Sequence, residues 1–387
     1  MPRKEREIIL LLALAAFIAG ISLRCVEPML PKLAVEFGTT VSAAASIVTT
    51  FALAYAAAVL LQGPLGDRYG KVRVVTVALA LTGIASLGCA LAWDVTSLAG
   101  ARLAMGVFAS ASVPLGLAYI GDVIAPAERQ AVIANFIGGS VLGQTLGPLF
   151  GGAFTDLLGW RASFVALAGL FIVVALVLYA RTARAWPATA PGAFEPLAVY
   201  RRILPRRPVQ WLAGTGVAET FFFFGAYVFL AALLKERFDI SYTLIGLVLA
   251  GYGVGGLLYA ILARRLIAAL GERGLVAAGG VLGAALFLVI LAAPGWAWTI
   301  PCTVGLGIAF YMLHNTVQMK ATEAAPDARG ATVALYASCW ALGQAGGVAA
   351  MGLAVAVVGY ATGIAAFGIA FALVGLALRN NLHRFRP

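Results

Sequence analysis

Charge is what this sequence has least of. Only 11% of its 387 residues are Asp, Glu, Lys or Arg, against 62% hydrophobic, and the mean hydropathy is +0.96. An average soluble domain carries about 25% charged residues. A water-soluble fold of this length could not hide so much apolar surface, so soluble enzymes, nucleic-acid-binding domains and disordered regulators are poor fits. Histidine is scarce too, with two residues, and Cys25, Cys89, Cys302 and Cys339 form no CxxC pair. No metal site and no cofactor is expected, and the cysteines read as small apolar packing residues. The ten-residue alternation of a membrane β-barrel is missing as well.

What is present is a series of long apolar runs. They fall at 8–31, 44–64, 73–93, 97–119, 132–157 and 162–180, then at 209–233, 243–265, 275–293, 298–319, 332–357 and 360–378. A run of about 20 residues suffices for one helical crossing of a bilayer. The expectation is an all-α membrane protein with twelve transmembrane helices. Arg3, Lys4 and Arg6 before the first run imitate a signal peptide, but no small-residue cleavage step follows. It reads as an uncleaved first span.

Lys and Arg sort onto alternate connections. One side collects most of them, from Arg3 and Lys4 through Arg68, Lys71, Arg129, the Arg181–Arg207 region, Arg264, Arg265 and Lys320 to Arg379 and Arg386. The other side keeps Lys32, Arg161, Lys235 and Arg237. The positive-inside rule therefore places both termini in the cytoplasm, and the expected location is a bacterial inner membrane.

The connection at 181–208, which includes Trp186-Pro187 and Ala190-Pro191-Gly192, divides the helices into bundles at 1–180 and 209–387. The halves match at an offset of 200. Ala125-Pro126-Ala127-Glu128-Arg129 lies opposite Ala325-Pro326-Asp327-Ala328-Arg329, and Leu142-Gly143-Gln144 opposite Leu342-Gly343-Gln344. Six helices separate the copies, so equivalent helices run in the same direction. That is a parallel pseudo-two-fold repeat about an axis along the membrane normal.

Gly63-Pro64-Leu65-Gly66-Asp67-Arg68-Tyr69-Gly70-Lys71, between spans two and three, resembles the G-x-L-x-D-R-x-G-R/K signature of the major facilitator superfamily. Arg102-Leu103-Ala104-Met105-Gly106 resembles its R-x-x-x-G element. The run from Gly143 through Gly147-Pro148 to Gly151-Gly152 is similar to the G-x-x-x-G-P-x-x-G-G motif of its twelve-helix drug/proton antiporters. The second-half counterpart of the first motif, Arg264-Arg265 to Gly271-Glu272-Arg273, has no acid matching Asp67. The resemblance implies a conformational latch in which Asp67 faces the start of span eleven. Arg68 and Lys71 would pair with Asp122, with Arg129 completing the cluster and Gly63 and Gly70 allowing the close turn. It also implies a packing stripe of Gly143, Gly147, Gly151 and Gly152, with Pro148, against span one or eight.

Charges at membrane depth each cost at least about 2–3 kcal/mol unless paired or hydrated, so they mark candidate pathways. Glu219 lies mid-span with no obvious local partner and is the first candidate for proton coupling, followed by Glu27 and His314. Glu27 has Arg24 or Arg102 available to neutralise it. Arg24, Arg102, Gln144, Phe223, Tyr227, Tyr311, Asn315, Tyr336, Trp340 and Gln344 are candidates for lining a substrate cavity. The expected protein is a monomeric exporter of small, lipophilic molecules, coupled to protons by alternating access. A facilitator or symporter of a polar metabolite such as a sugar is the alternative. No nucleotide motif or nucleophile triad supports an enzyme, and no nucleic-acid partner is implied.

Overall fold

A hydrocarbon environment forces every backbone N–H and C=O to find its partner within the segment, which leaves helices as the default for an open chain. The computed structural model, which describes residues 3–186 and 197–385, is built that way. Its first half holds α1 (Arg3–Arg24), α2 (Leu30–Glu36), α3 (Val41–Ala44), α4 (Ser46–Tyr69), α5 (Lys71–Ala90), α6 (Val95–Ala109), α7 (Ser112–Val123), α8 (Pro126–Leu157) and α9 (Trp160–Thr182). The short α10 (Ala198–Ile203) leads into α11 (Arg207–Phe238), α12 (Tyr242–Ala292), α13 (Thr299–Glu323) and α14 (Arg329–Asn381). Among the described residues ten helices are long and apolar enough to cross a membrane. Of the linker motifs, Pro187 and Ala190-Pro191-Gly192 lie outside the described residues, as does Arg386.

Proline decides several boundaries. The first span was expected to reach residue 31, but α1 stops at Arg24. A helix continued through Pro28 would drive the proline ring into the carbonyl four residues back, which is that of Arg24. Glu27 therefore sits in a turn, not on a helix one turn after Arg24. In the same way the expected span 97–119 is broken between α6 and α7 at Ser110-Ala111, four residues before Pro114. Pro64 lies inside α4 and leaves the Leu60 carbonyl without its helical donor. The hydroxyl of Tyr200, on α10, donates to that carbonyl at 3.1 Å.

α12 and α14, at 51 and 53 residues, are far longer than one crossing requires. Each contains a glycine in a left-handed conformation, Gly271 (φ 61) and Gly359 (φ 76), which side-chain-bearing residues rarely adopt. At both points the chain folds back. Gly307 on α13 lies against Tyr252, while Ala309, two residues on, lies against Gly279, so the arms of α12 run side by side. Phe221 touches Gly347 before the second break and Phe367 after it.

Glycine sets the closest helix approaches. A Cβ on Gly143 would lie 2.0 Å from the Phe17 carbonyl oxygen, and one on Gly147 3.0 Å from that of Ile21. In the second half a Cβ on Gly343 would lie 2.3 Å from the Val217 oxygen, and one on Gly347 2.0 Å from that of Phe221. Both partners of each first-half contact recur 200 positions later. Two seams join the halves. Along α8 and α12, a Cβ on Gly152 would meet the Tyr242 carbonyl at 2.1 Å and one on Gly246 the Pro148 carbonyl at 2.3 Å. Along α4 and α14, Ser338 donates to the Ala56 carbonyl at 2.7 Å.

Candidate functional site

Two groups of buried charged side chains stand out, one in each half. In the first half Arg24, at the end of α1, and Glu27, in the following turn, are 1% and 0% exposed. Arg24 Nη1 donates to Glu27 Oε1 at 2.5 Å. The guanidinium reaches into the second half, 4.5 Å from the ring centre of Phe224, 5.4 Å from Tyr227 and 5.0 Å from Tyr252. Three ring faces around one desolvated cation add electrostatic attraction to the ion pair, about 2 kcal/mol or more for a well-placed buried contact.

Arg102, the other base considered for Glu27, is used differently. It donates to the Ser22 carbonyl at 3.0 Å and lies 4.0 Å from the centre of the Phe51 ring. Both partners belong to the first half, so Arg102 ties α6 to α1 and α4 and does not neutralise Glu27.

The second group corrects the expectation that Glu219 stands without a partner. Its carboxylate is 0% exposed, and Tyr336 on α14 donates its hydroxyl to Oε1 at 2.6 Å. His314 on α13 places Nδ1 2.9 Å from the same oxygen and 2.8 Å from the Tyr336 hydroxyl. Three helices thus deliver three ionisable groups to one point. Gly216, one turn before Glu219, makes room for the Tyr336 ring, since a Cβ there would lie 3.0 Å from it. His314 stacks on Phe310 and Tyr336, and its side chain, 12% exposed, is the most open of the three. Glu219 Oε2 has no hydrogen-bond partner among the described residues.

This geometry can move a proton without moving a heavy atom. With the proton on Nδ1, His314 and Tyr336 both donate to Oε1 and hold the carboxylate as an anion. With the proton on Oε1, Glu219 donates to the bare Nδ1 of a neutral imidazole.

The cavity candidates divide. Phe223 was expected to line a cavity, but it is fully buried among Tyr227, Tyr252, Phe287, Phe310 and Phe371. It fills the core of the second half, on the same face of α11 as Glu219 and one turn further along. The Tyr227 hydroxyl donates to the Leu249 carbonyl at 2.5 Å. Trp340 packs on Phe224, Tyr311 on Tyr252, and Asn315 bonds to Tyr259. Gln144 is half-buried, whereas Gln344 is fully buried with neither amide atom hydrogen-bonded.

At the Asp67 end, Lys71 bonds to Asp122 at 2.5 Å, the pairing that the resemblance implies. Asp67 does not face the start of α14. It is 74% exposed and lies 3.8 Å from Lys71. Arg129 does not join the cluster either, because Nε and Nη2 both donate to the Ile124 carbonyl at the end of α7. Asp67, Lys71 and Asp122 help to line a cavity of about 530 Å³ with Arg73 and Trp186. At the far end Asp156, which no motif singled out, accepts from the Tyr242 and Thr243 backbone N–H groups and the Thr243 hydroxyl. Its partners lie more than eighty positions away, so no local pattern could announce it.

A helical membrane protein with buried charges in each of two tightly packed halves is the form of a transporter. The Major Facilitator Superfamily model matches residues 12–348 and 220–383, and the chain belongs to that family. It is 35% identical over 156 residues to the uncharacterised MFS-type transporter EfpA of Mycobacterium tuberculosis, covering 40% of this chain and 29% of that one. It is 28% identical over 209 residues to the multidrug efflux pump LfrA of Mycolicibacterium smegmatis, covering 54% and 41%. The chain thus matches less than half the length of either relative. The uncharacterised MFS-type transporter YceJ of Bacillus subtilis is 25% identical over 332 residues, 82% of each chain. A bacterial homolog of the human lysosomal transporter Spinster, solved in an inward-facing and unoccupied conformation, shares the fold with a TM-score of 0.75 at 18% identity. That match covers 99% of this chain and 97% of the other.

Proposed function

We propose that the chain is a proton-coupled exporter of small, lipophilic molecules that works by alternating access. The observation that carries this reading is the Glu219–His314–Tyr336 cluster. It is a buried site for a proton whose second carboxylate oxygen has no hydrogen-bond partner among the described residues and so keeps its accepting capacity for cargo when the halves part. Cargo bound at Oε2 and a proton held at Oε1 compete for the same negative charge, which is the requirement for exchange. The efflux role of a relative points the same way.

In this reading the breaks at Gly271 and Gly359 turn ten long helices into twelve spans. Residues 1–180 and 209–387 form two six-helix bundles joined by 181–208. The contacts repeated at an offset of 200 reflect a parallel two-fold relation between them. Both termini and Asp67 face the cytoplasm of a bacterial inner membrane, by the distribution of Lys and Arg. The protein acts as a monomer in the bilayer, with a small-molecule substrate and protons as its partners. The tight seams toward Asp156, with Asp67 exposed, correspond to an inward-open state.

The test is proton release on addition of lipophilic compounds to purified protein, paired with uptake into vesicles with and without a pH gradient. Glu219→Gln should abolish proton release and gradient-driven accumulation while the protein stays folded. Wild-type coupling in that variant would remove Glu219 from the mechanism. A polar metabolite is the second reading, favoured by the unpaired amide of Gln344. It predicts transport that survives Glu219→Gln and fails in Gln344→Leu.

A further inference from the structure

Asp156 ends α8 in the first half, and its carboxylate caps α12 in the second. Oδ1 accepts from the Tyr242 N–H at 3.2 Å. Oδ2 accepts from the Thr243 N–H at 2.7 Å and from the Thr243 hydroxyl at 2.6 Å. The helix already has a cap of its own, since Ser241 takes the Leu244 N–H at 3.2 Å. The first-half acid accepts from two of the N–H donors that Ser241 leaves over, and its charge meets the positive end of the helix dipole. The approach depends on Gly152 and Gly246, whose missing side chains let α8 and α12 touch backbone to backbone immediately below the cap.

We propose that Asp156 is the latch that closes the face opposite Asp67 during transport, and that the two acids act in alternation. The inference rests on the alternating-access reading above. Each acid ends a helix of the first half; Asp156 holds the start of α12 here, and in the proposed alternation Asp67 takes the start of α14, the partner implied by the family resemblance, when that face closes. Here the Asp156 contact is made, while Asp67 is 74% exposed. Rocking the halves exchanges one capped helix for the other, so neither state leaves both helix starts uncapped.

The experiment is pulsed electron spin resonance on the full-length protein with two label pairs at exposed positions. Leu158→Cys with Glu236→Cys reports the Asp156 face, and Gln130→Cys with Arg273→Cys the Asp67 face. The four native cysteines are buried. Asp156→Ala should raise the population with a widened 158–236 distance about tenfold, the scale expected for losing charge-assisted hydrogen bonds. The 130–273 distance should shorten in step. Asp156→Asn, which keeps shape and one acceptor, should shift the same way by less and guards against misfolding. Adding Asp67→Asn should return the distribution toward wild type. An unchanged 158–236 distance in both Asp156 variants, with Asp67→Asn still moving the 130–273 pair, overturns the latch and leaves alternating access standing. Distances that respond to no variant and to no change of pH overturn both.

Discussion

Glu27 and Glu219 are the two fully buried carboxylates described above, one in each half, and they are neutralised in opposite ways. Glu27 faces Arg24, a base that stays charged at any physiological pH, supplied from three residues away. Glu219 faces His314 and Tyr336, which arrive from 95 and 117 residues away, and neither of them is a permanent cation. A carboxylate locked to a permanent cation is a structural charge. In the proposed exporter, one that faces an imidazole is the acid that changes state within a cycle. Burial alone does not distinguish the two acids, since both are 0% exposed; the partner does. The first pair is also held from outside, because the rings around Arg24 belong to the second half. Opening the seam on that face must withdraw Arg24 from them.

The sharpest way to break the contrast is to remove the permanent cation. Arg24→Ala leaves Glu27 buried and unpaired, a loss of about 3–5 kcal/mol for a desolvated ion pair. Thermal melting in detergent should show it, and Arg24→Ala/Glu27→Gln should recover most of the loss. Gly147→Leu attacks the same pair through packing. A Cβ at 147 would lie 3.0 Å from Arg24 Cβ, so a branched side chain forces α1 and α8 apart, at about 1–3 kcal/mol. Transport should be lost while membrane insertion, measured by expression of a fluorescent fusion, persists.

Tyr336→Phe sharpens the other side of the comparison. It removes one donor to Glu219, at about 1.5–3 kcal/mol for a charged acceptor. Coupling should weaken without disappearing, because His314 remains, and the pH profile of transport should move where that of an Arg102→Lys control does not. Glu36, in an exposed pair, gives the smallest effect. Partial burial pushes its carboxyl up, but hydrogen bonds from Arg161 and Trp160 outweigh this and hold it below the usual carboxylate range. A depressed carboxylate contributes stability above its unfolded value and loses it as pH falls through the folded one. Glu36→Gln should therefore lower stability slightly at neutral pH, leave it unchanged at strongly acid pH, and so flatten the acid limb of the stability curve.

Much of the architecture was legible in the residues. Apolar runs located the crossings, because lipid admits only segments that satisfy their own backbone. The glycine stripe on α8 was visible as four-residue spacing, and its contacts with Phe17, Ile21 and Cys25 follow that spacing. The ends of α1 and α6 were written in Pro28 and Pro114, and the span estimates overran them because hydropathy registers proline only weakly. The Lys71–Asp122 pair was implied by the motif's resemblance to the family signature.

The sequence by itself determined the solvent, the crossings, and which residues are too polar for their depth. These depend on local composition and on a helical period that each segment carries alone. Only the tertiary structure decided which of those residues meet. Whether Glu219 finds His314 and Tyr336, or Asp156 the start of α12, depends on the rotation and depth of each helix against its neighbours. Those follow from the sum of many glycine and side-chain contacts across the bundle, a quantity that no single segment contains.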